Sequence, residues 1–460
     1  MKIDDFKNKK ILILGFGREG ADNFIYFRKR YPKKILGIGD RLEYQKLNIK
    51  YQKLIKQDKN IKLHLGKNYQ KALKDYDVII KSPGIPRGTI EPYITKNQKI
   101  TSQTEIFLEK CSEEIIGVTG TKGKSTASSL IYDVLRSGHK KVYLIGNIEK
   151  PVFSFLEKAK RGDIFVYELS SHQLQSVKKS PHIAVFLNIY PEHLDYYRNF
   201  SEYLKAKQNI TRYQGTQDYF IYNSSEKFVT ETSEKTKAKK ISFALEGADC
   251  SIKDGWIIYK KKKIMNVKSS PLPGSFNLLN IMPAIIIGTL FGISSSVINR
   301  AVVKFKPLKY RLEKIGIFKG VSFYNDALAT IPEATIAAID ALGENVQTII
   351  LGGFDRNIDF KKLARRILNS RIRNMILFPA TGEKIQNEVS GLAKKESFEE
   401  IPRSFDVDNM EDAVKISYKY TERGKICLLS CASSSFSIFK DYRDKGDLFR
   451  KYVFKLGKNR

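Results

Sequence analysis

Short apolar runs separated by amphipathic stretches organise the first hundred residues. Residues 10–14 (Lys-Ile-Leu-Ile-Leu), 35–38 and 78–81 have the length of buried strands, and the stretches between them carry helical spacing. Continuous apolar runs, as opposed to alternating ones, predict a parallel sheet covered on both faces. The pattern restarts after about residue 98, where 115–119, 142–145, 164–168 and 183–188 predict strands and a helix is expected after Lys124. A third block opens near Pro307, with strand candidates at 323–324, 348–351, 375–378 and 426–429. The expected fold class is α/β, as three consecutive α/β domains over residues 1–97, 98–306 and 307–460. No fixed-period repeat or low-complexity tract interrupts the series, so solenoids and linkers are set aside.

Composition narrows the picture. At about 150 residues per domain, a chain of 460 residues allows roughly three domains. With 42% apolar and 28% charged residues it can bury a core. The most apolar stretch, 281–293, is too short to span a bilayer, and the first residues lack the h-region and cleavage site of a signal peptide. A cytoplasmic protein without membrane contact is expected. Four cysteines make no disulfide framework, Cys427 and Cys431 read as small core residues, and five histidines show no paired zinc spacing. The net charge of +32 would suit a nucleic-acid binder. The lysines are scattered, however, without an aromatic-interleaved motif, which favours a solvated surface that also attracts small anions. No nucleic-acid partner is expected.

The strongest chemical signal is Gly117-Val-Thr-Gly-Thr-Lys-Gly-Lys-Ser-Thr126, between a strand and a helical pattern. Glycines let backbone N–H groups close around phosphates at a helix N-terminus; Lys124 can reach the β/γ-phosphates and Ser125 can ligate Mg²⁺. The usual eight-residue pattern wants Gly at Val118, and here it stands one residue earlier. Activating a carboxylate with ATP crowds negative charge, so cations must neutralise it. Glu168 and His193 are suitable Mg²⁺ ligands beside Ser125. A second glycine turn, Gly15-Phe-Gly-Arg-Glu-Gly20, has dinucleotide-site spacing with Asp40 downstream. Alone, such a match is a weak sign of a dinucleotide site.

The offset form Gly-x-x-Gly-Thr-x-Gly-Lys-Ser is similar to that of the Mur ligases and folylpolyglutamate synthases. Glu168-Leu-Ser-Ser-His-Gln-Leu174 resembles the Mur ligase segment Glu-Leu-Ser-Ser-Phe-Gln-Leu, and Leu187-Asn-Ile-Tyr-Pro-Glu-His-Leu-Asp195 resembles Asn-x-x-x-Asp-His-x-Asp. Gly274-Ser-Phe-Asn-Leu-Leu-Asn280, Tyr310-Arg311, Asn325-Asp326 and Leu351-Gly-Gly353 come next, in the same order. Folylpolyglutamate synthases lack the N-terminal nucleotide domain, so residues 1–97 favour the Mur ligases. The resemblance implies a Rossmann-like N-terminal domain, a central domain like that of P-loop ATPases and a Rossmann-like C-terminal domain. It implies a monomer that adds glutamate to UDP-N-acetylmuramoyl-L-alanine with ATP, two Mg²⁺ ions and a carbamoylated lysine. The rival from another class is a P-loop ATPase module acting on a different anionic partner.

Residue by residue, the resemblance assigns ATP to Gly117, Gly120, Thr121, Lys122, Gly123, Lys124, Ser125 and Thr126, with Asn277, Asn280, Arg311 and Asp326. The catalytic set is Lys124, Glu168, His193 and Lys207, and metal falls to Ser125, Glu168, His193 and Lys207. Lys207 carries the carbamate because Tyr203-Leu-Lys-Ala-Lys207 matches the family's Tyr-x-x-Ala-Lys, which leaves Lys205 out of register. Arg18, Glu19, Asp40, Arg41, Ser82, Gly84 and Asn147 are assigned to the uridine diphosphate substrate. Thr330, Arg356, Ser435, Phe436 and Tyr442 are assigned to glutamate. Departures concentrate there: Leu328 stands where the family has lysine, and Arg356 replaces another lysine; beside the nucleotide residues Asn277 and Arg311, Phe276 and Tyr310 replace histidines. Asn325-Asp-x-x-x-Thr-x-Pro-Glu333 with Gly-Gly-x-Asp-Arg is similar to a smaller branch that adds L-glutamate, so D-glutamate is the default and the L-isomer the alternative.

Overall fold

The computed structural model describes residues 6–111, 113–146, 152–193, 196–356, 358–436 and 438–458. Its strands form three sheets of five, nine and six strands, the α/β architecture expected. The first contains β1 (Ile11–Leu14), β2 (Leu36–Asp40), β3 (Ile61–Leu65), β4 (Val78–Lys81) and β5 (Lys99–Thr101), in the order 3-2-1-4-5. All its pairings are parallel. Every residue of β1 and β4 is buried, which the continuous apolar runs require of a sheet with both faces covered. The strand order reverses at β1, whose neighbours β2 and β4 leave in opposite directions. A crevice forms at the carboxyl end of such a strand.

The second sheet holds β6 (Glu114–Thr119), β7 (Val142–Gly146), β8 (Ile164–Glu168), β9 (Ile183–Phe186), β10 (Tyr219–Asn223) and β11 (Lys239–Phe243). It ends in β12 (Cys250–Lys253), β13 (Trp256–Tyr259) and β14 (Lys262–Asn266), and runs 14-13-12-11-10-9-6-8-7. Here β6 is the switch strand, between β8 and β9. The helix Lys124–Ser137 comes directly after its loop, as expected. The apolar stretch near 281–293 lies mostly in helix Ser275–Leu290, and among the described residues no helix is long and apolar enough to cross a membrane.

The third sheet contains β15 (Glu313–Phe318), β16 (Val321–Asn325), β17 (Val346–Gly352), β18 (Asn374–Phe378), β19 (Arg403–Asp406) and β20 (Ile426–Leu429), in the order 15-16-20-17-18-19. Separate apolar clusters cover its two faces: Ile349, Leu351 and Leu428 point to one, Ile350, Cys427 and Leu429 to the other. Cys427 and Cys431 are fully buried free thiols. The chain divides into two compact units, residues 1–269 with 278–304, and residues 270–277 with 305–460.

Candidate active site

Strand register sets the phosphate loop. Val118 of β6 pairs with Glu168 of β8, and Thr119 pairs with Phe186 of β9. The Glu168 carboxylate therefore leaves the sheet at the start of the loop, and Leu187-Asn188 runs beside Gly120 and Thr121. Asn188 clamps the loop: its Oδ1 accepts the Lys122 N–H at 2.9 Å, its Nδ2 donates to Lys122 O at 3.1 Å, and its carbonyl accepts the Thr121 N–H at 3.0 Å. Gly123 has φ +82°, and a Cβ there would lie 2.1 Å from Asn280 Oδ1, so only glycine fits. Gly117 lies within β6, where a Cβ would meet Pro181 Cγ at 2.5 Å. Lys124 and Ser125 open the helix, with Thr126 buried behind them. Lys124 Nζ donates to Gly120 O and Thr121 O, both at 2.9 Å, and Lys122 pairs with Glu192 at 2.7 Å.

Lys207 comes to the same loop from helix Phe200–Arg212. It is 1% exposed, whereas Lys205 faces solvent. Its Nζ donates to Gly120 O at 2.8 Å and to Thr119 Oγ1 at 3.4 Å, and lies 5.0 Å from the Tyr203 ring. Burial, and then the charge of Lys124, push its ammonium far below the ordinary lysine range. Tyr203 OH and Thr121 Oγ1 are 2.9 Å apart, which ties that helix to the loop. His193 has a left-handed backbone, φ +58°, and its ring lies 4.8 Å from that of His172. Sequence does not single out His172, although it stands on the same strand-to-helix turn as Glu168.

The first sheet builds the facing wall. Gly15, φ +88°, comes directly after β1, and its carbonyl accepts the Ser82 hydroxyl at 2.9 Å. Asp40 Oδ2 accepts the Phe16 N–H at 2.6 Å and Oδ1 the Leu42 N–H at 2.9 Å, fixing the turn. Glu19 is held by Gln173 Nε2 at 3.0 Å, and Gln173 also completes a capping box with Ser170. Burial raises the Glu19 carboxyl, against the pull of that hydrogen bond. Lys81, buried and donating to Ile85 O at 2.7 Å, is lowered to about 8 by its burial.

A cavity of about 450 Å³ brings these pieces together. Its wall includes Gly15, Arg18, Glu19, Ser82 and Gly84 from the first turn, and Lys124, His172 and His193 from the second. A second cavity of about 430 Å³ opens beside Asp40 and Arg41, and shares Gly15 and Gly84 with the first. Asn147 lies outside the described residues.

In the second compact unit, Phe354 N–H donates to Ser434 O at 2.8 Å and the two residues form an antiparallel bridge. This joins the segment carrying Arg356, which is exposed, to that carrying Ser435, which is buried, and Phe436, which is 62% exposed. Thr330 and Tyr442 are half-buried. Asp326 is buried at the end of β16, while the half-buried Arg311 lies in the turn before β15. Asn277 is buried, with Nδ2 on Pro273 O at 2.6 Å. In the first unit Asn280 is buried against Gly123.

Ser125, Glu168 and His193 supply a hydroxyl, a carboxylate and an imidazole, which suit a hard cation that keeps waters and substrate phosphates. Among the described residues no cluster of three or more His, Cys, Asp or Glu could hold a metal by itself.

The family model described as "Mur ligase middle domain" matches residues 118–288. The chain is 30% identical to the UDP-N-acetylmuramoylalanine–D-glutamate ligase of Acetivibrio thermocellus, over 98% of both chains. It is 31% identical to the ligase of that name from Clostridium tetani, over 98% of this chain and 97% of the other. Among solved structures, the Thermotoga maritima MurF ligase in complex with ADP superposes with a TM-score of 0.61 at 16% identity, covering 98% of this chain and 97% of that one. The fold is thus shared across relatives of very different sequence. Identity of 30% and 31% over nearly the whole length establishes that the chain belongs to the Mur ligase family and is an ATP-dependent ligase that forms carbon–nitrogen bonds.

Proposed function

We propose that the protein joins D-glutamate to UDP-N-acetylmuramoyl-L-alanine in peptidoglycan synthesis, using ATP and an acyl-phosphate intermediate. The observation that carries this reading is the cavity walled by both glycine turns, with Lys124 on one side and Gly15, Ser82 and Gly84 on the other. Two anion-binding turns facing one space suit a nucleotide-linked substrate meeting a triphosphate. Residues 1–97 take the uridine diphosphate through Arg18, Glu19, Asp40, Arg41, Ser82 and Gly84; residues 98–306 take ATP; residues 307–460 take glutamate. The names of the relatives support the same substrates.

In this reading the alanyl carboxylate attacks the γ-phosphorus and ADP leaves. The glutamate amine then attacks the acyl carbon, gives up a proton, and phosphate leaves as the amide forms. Lys124 holds the transferring phosphoryl group through its charge, and the loop N–H groups orient it. Mg²⁺, when bound by Ser125, Glu168 and His193, neutralises the charge that develops on the phosphates. Lys207 fits carbamoylation because its amine is buried beside the phosphate loop and burial favours its uncharged form, the one nucleophilic toward CO₂; the product would supply a further anionic ligand. Arg356, with its planar fork, grips a glutamate carboxylate where Leu328 cannot donate. The protein works in the cytoplasm as a monomer, with no membrane contact.

Formation of ADP, measured with each glutamate isomer in turn, tests this. Turnover is expected only with UDP-N-acetylmuramoyl-L-alanine and D-glutamate together. Turnover with L-glutamate alone would assign the enzyme to the L-adding branch that Leu328 and Arg356 resemble. Stimulation by neither substrate would overturn the ligase reading.

A further inference from the structure

The turn that carries Ser82 and Gly84 away from β4 holds backbone acceptors that its own sequence cannot satisfy. Ser82-Pro-Gly-Ile-Pro86 contains two prolines, which have no N–H to give. Within the turn the Ile85 N–H reaches Ser82 O at 3.2 Å, and the Ser82 N–H pairs with Leu14 O at 2.8 Å. Donors for Pro83 O and Ile85 O come from outside it. Lys81 Nζ is one, donating to Ile85 O at 2.7 Å. Tyr196 is the other: its hydroxyl lies 3.0 Å from Pro83 O, 3.1 Å from Ile85 O and 3.0 Å from Gln175 Oε1. A phenol has one hydrogen to donate, so these three oxygens share it.

Tyr196 is distant in sequence from that turn and close to His193. The N–H groups of Tyr196 and Tyr197 both donate to His193 O at 3.0 Å, which closes the left-handed backbone at His193. The Tyr196 ring meets the His172 ring edge-on, with centroids 4.2 Å apart at 86°, and His172 meets His193 at 4.8 Å and 72°. Edge-on ring pairs favour defined relative orientations. Tyr196 therefore backs the His193 imidazole through His172. Ser82 and Gly84 line one wall of the cavity, His172 and His193 the other. A single half-buried side chain supports both, with its hydroxyl on the first and its ring on the second.

We propose that Tyr196 is a positioning residue for two ligands at once: its hydroxyl fixes the 82–86 turn for the nucleotide-sugar, and its ring, through His172, fixes the His193 imidazole for the cation. The inference rests on the reading that Ser82 and Gly84 take the uridine diphosphate compound and His193 a divalent cation. Loss of the hydroxyl alone frees the turn and leaves the ring packing in place. Loss of the whole side chain frees both.

The test is binding to the full chain, for the wild type, Tyr196→Phe and Tyr196→Ala, with folding checked by circular dichroism. UDP-N-acetylmuramoyl-L-alanine is titrated by calorimetry, and Mn²⁺ in the presence of saturating ADP by electron paramagnetic resonance. Tyr196→Phe should weaken nucleotide-sugar binding about fivefold, the usual scale for one hydrogen bond, with Mn²⁺ affinity as in the wild type. Tyr196→Ala should weaken both, Mn²⁺ by about tenfold, as when the support of a metal ligand is removed. A role in stability alone would lower the melting temperature of both variants and move neither dissociation constant, and that result overturns the inference. So does wild-type nucleotide-sugar affinity in a folded Tyr196→Phe protein, or wild-type Mn²⁺ affinity in a folded Tyr196→Ala protein. Should Tyr196→Ala not fold, Tyr196→Phe, which loses a single oxygen, decides alone. A wild type that binds no nucleotide-sugar overturns the substrate reading, and this inference with it.

Discussion

Two strand-to-helix turns in the first compact unit share a backbone and differ in the side chains they present. Gly15 and Gly123 both adopt left-handed conformations, φ +88° and +82°, in the turns that lead into helices Arg18–Arg30 and Lys124–Ser137. Each has a neighbour that forbids a side chain: Ser82 Cβ at 2.8 Å from a Cβ on Gly15, Asn280 Oδ1 at 2.1 Å from one on Gly123. Such turns attract anions through N–H groups and the helix dipole, independently of the side chains that open the helix. Those side chains are not alike. After Gly123 come a lysine and a serine, a cation and a hydroxyl; after Gly17 come Arg18 and the half-buried acid Glu19. A carboxyl at an anion site disfavours a bare triphosphate and favours a ligand that brings hydrogen-bonding groups beside its phosphates. On the proposed reading, backbone geometry suits both turns to phosphate, and side chains decide which phosphate compound each accepts.

The largest effect is expected at the second turn. Lys124→Ala should lower kcat by about 10²- to 10³-fold with the fold intact, because the lost charge acts on the transferring phosphoryl group. Near-normal kcat in a folded variant would break the contrast between the turns.

Lys207→Met should reduce turnover by about 10- to 100-fold, the usual loss when a residue supporting a metal is removed. It should also alter stability in a definite direction. The folded-state value of Lys207 lies below its ordinary 10.5, so the unfolded chain binds more protons between those two values and stability rises with pH across that window. Denaturant unfolding at several pH values should show part of that rise missing in the Met variant. An identical pH dependence would mean that burial does not depress Lys207 in the folded protein.

A matched pair sharpens the comparison further. Gly123→Ala should raise KM for ATP about tenfold or more, and Gly15→Ala should act on the nucleotide-sugar alone, each at a folding cost of more than about 1 kcal/mol, since a positive φ and a close neighbour both oppose the new Cβ. If both changes raised the same KM, the two turns would be serving one ligand.

The smallest effect is expected from Glu19→Gln. It preserves shape and can still bond Gln173, so only a few-fold change in KM for the nucleotide-sugar is expected, flat in ATP. A larger effect on ATP would place Glu19 with the wrong turn.

Much of the fold was legible because buried parallel strands are continuous apolar runs: Ile11–Leu14, Ile164–Glu168 and Ile426–Leu429 announce themselves. β3 did not, since Ile61–Leu65 is an edge strand with half-exposed and exposed residues. The β12–β14 meander was missed too. One of its turns uses Lys260 and Lys261, φ +50° and +61°, and lysine gives no local signal for such a conformation. At the site, the phosphate loop could be read because its chemistry is contiguous. Asn280 against Gly123 and His172 against His193 are products of tertiary packing, and no spacing rule joins them.

The central claim is that the cavity between the two turns hosts attack of the alanyl carboxylate on the γ-phosphate. UDP-N-acetylmuramoyl-L-alanine labelled with ¹⁸O in that carboxylate, turned over with ATP and D-glutamate, tests it directly by mass spectrometry of the released phosphate. The account predicts transfer of one labelled oxygen from carboxylate to inorganic phosphate in each turnover. Amide formation with the displaced labelled oxygen released as water, and none in phosphate, would contradict it.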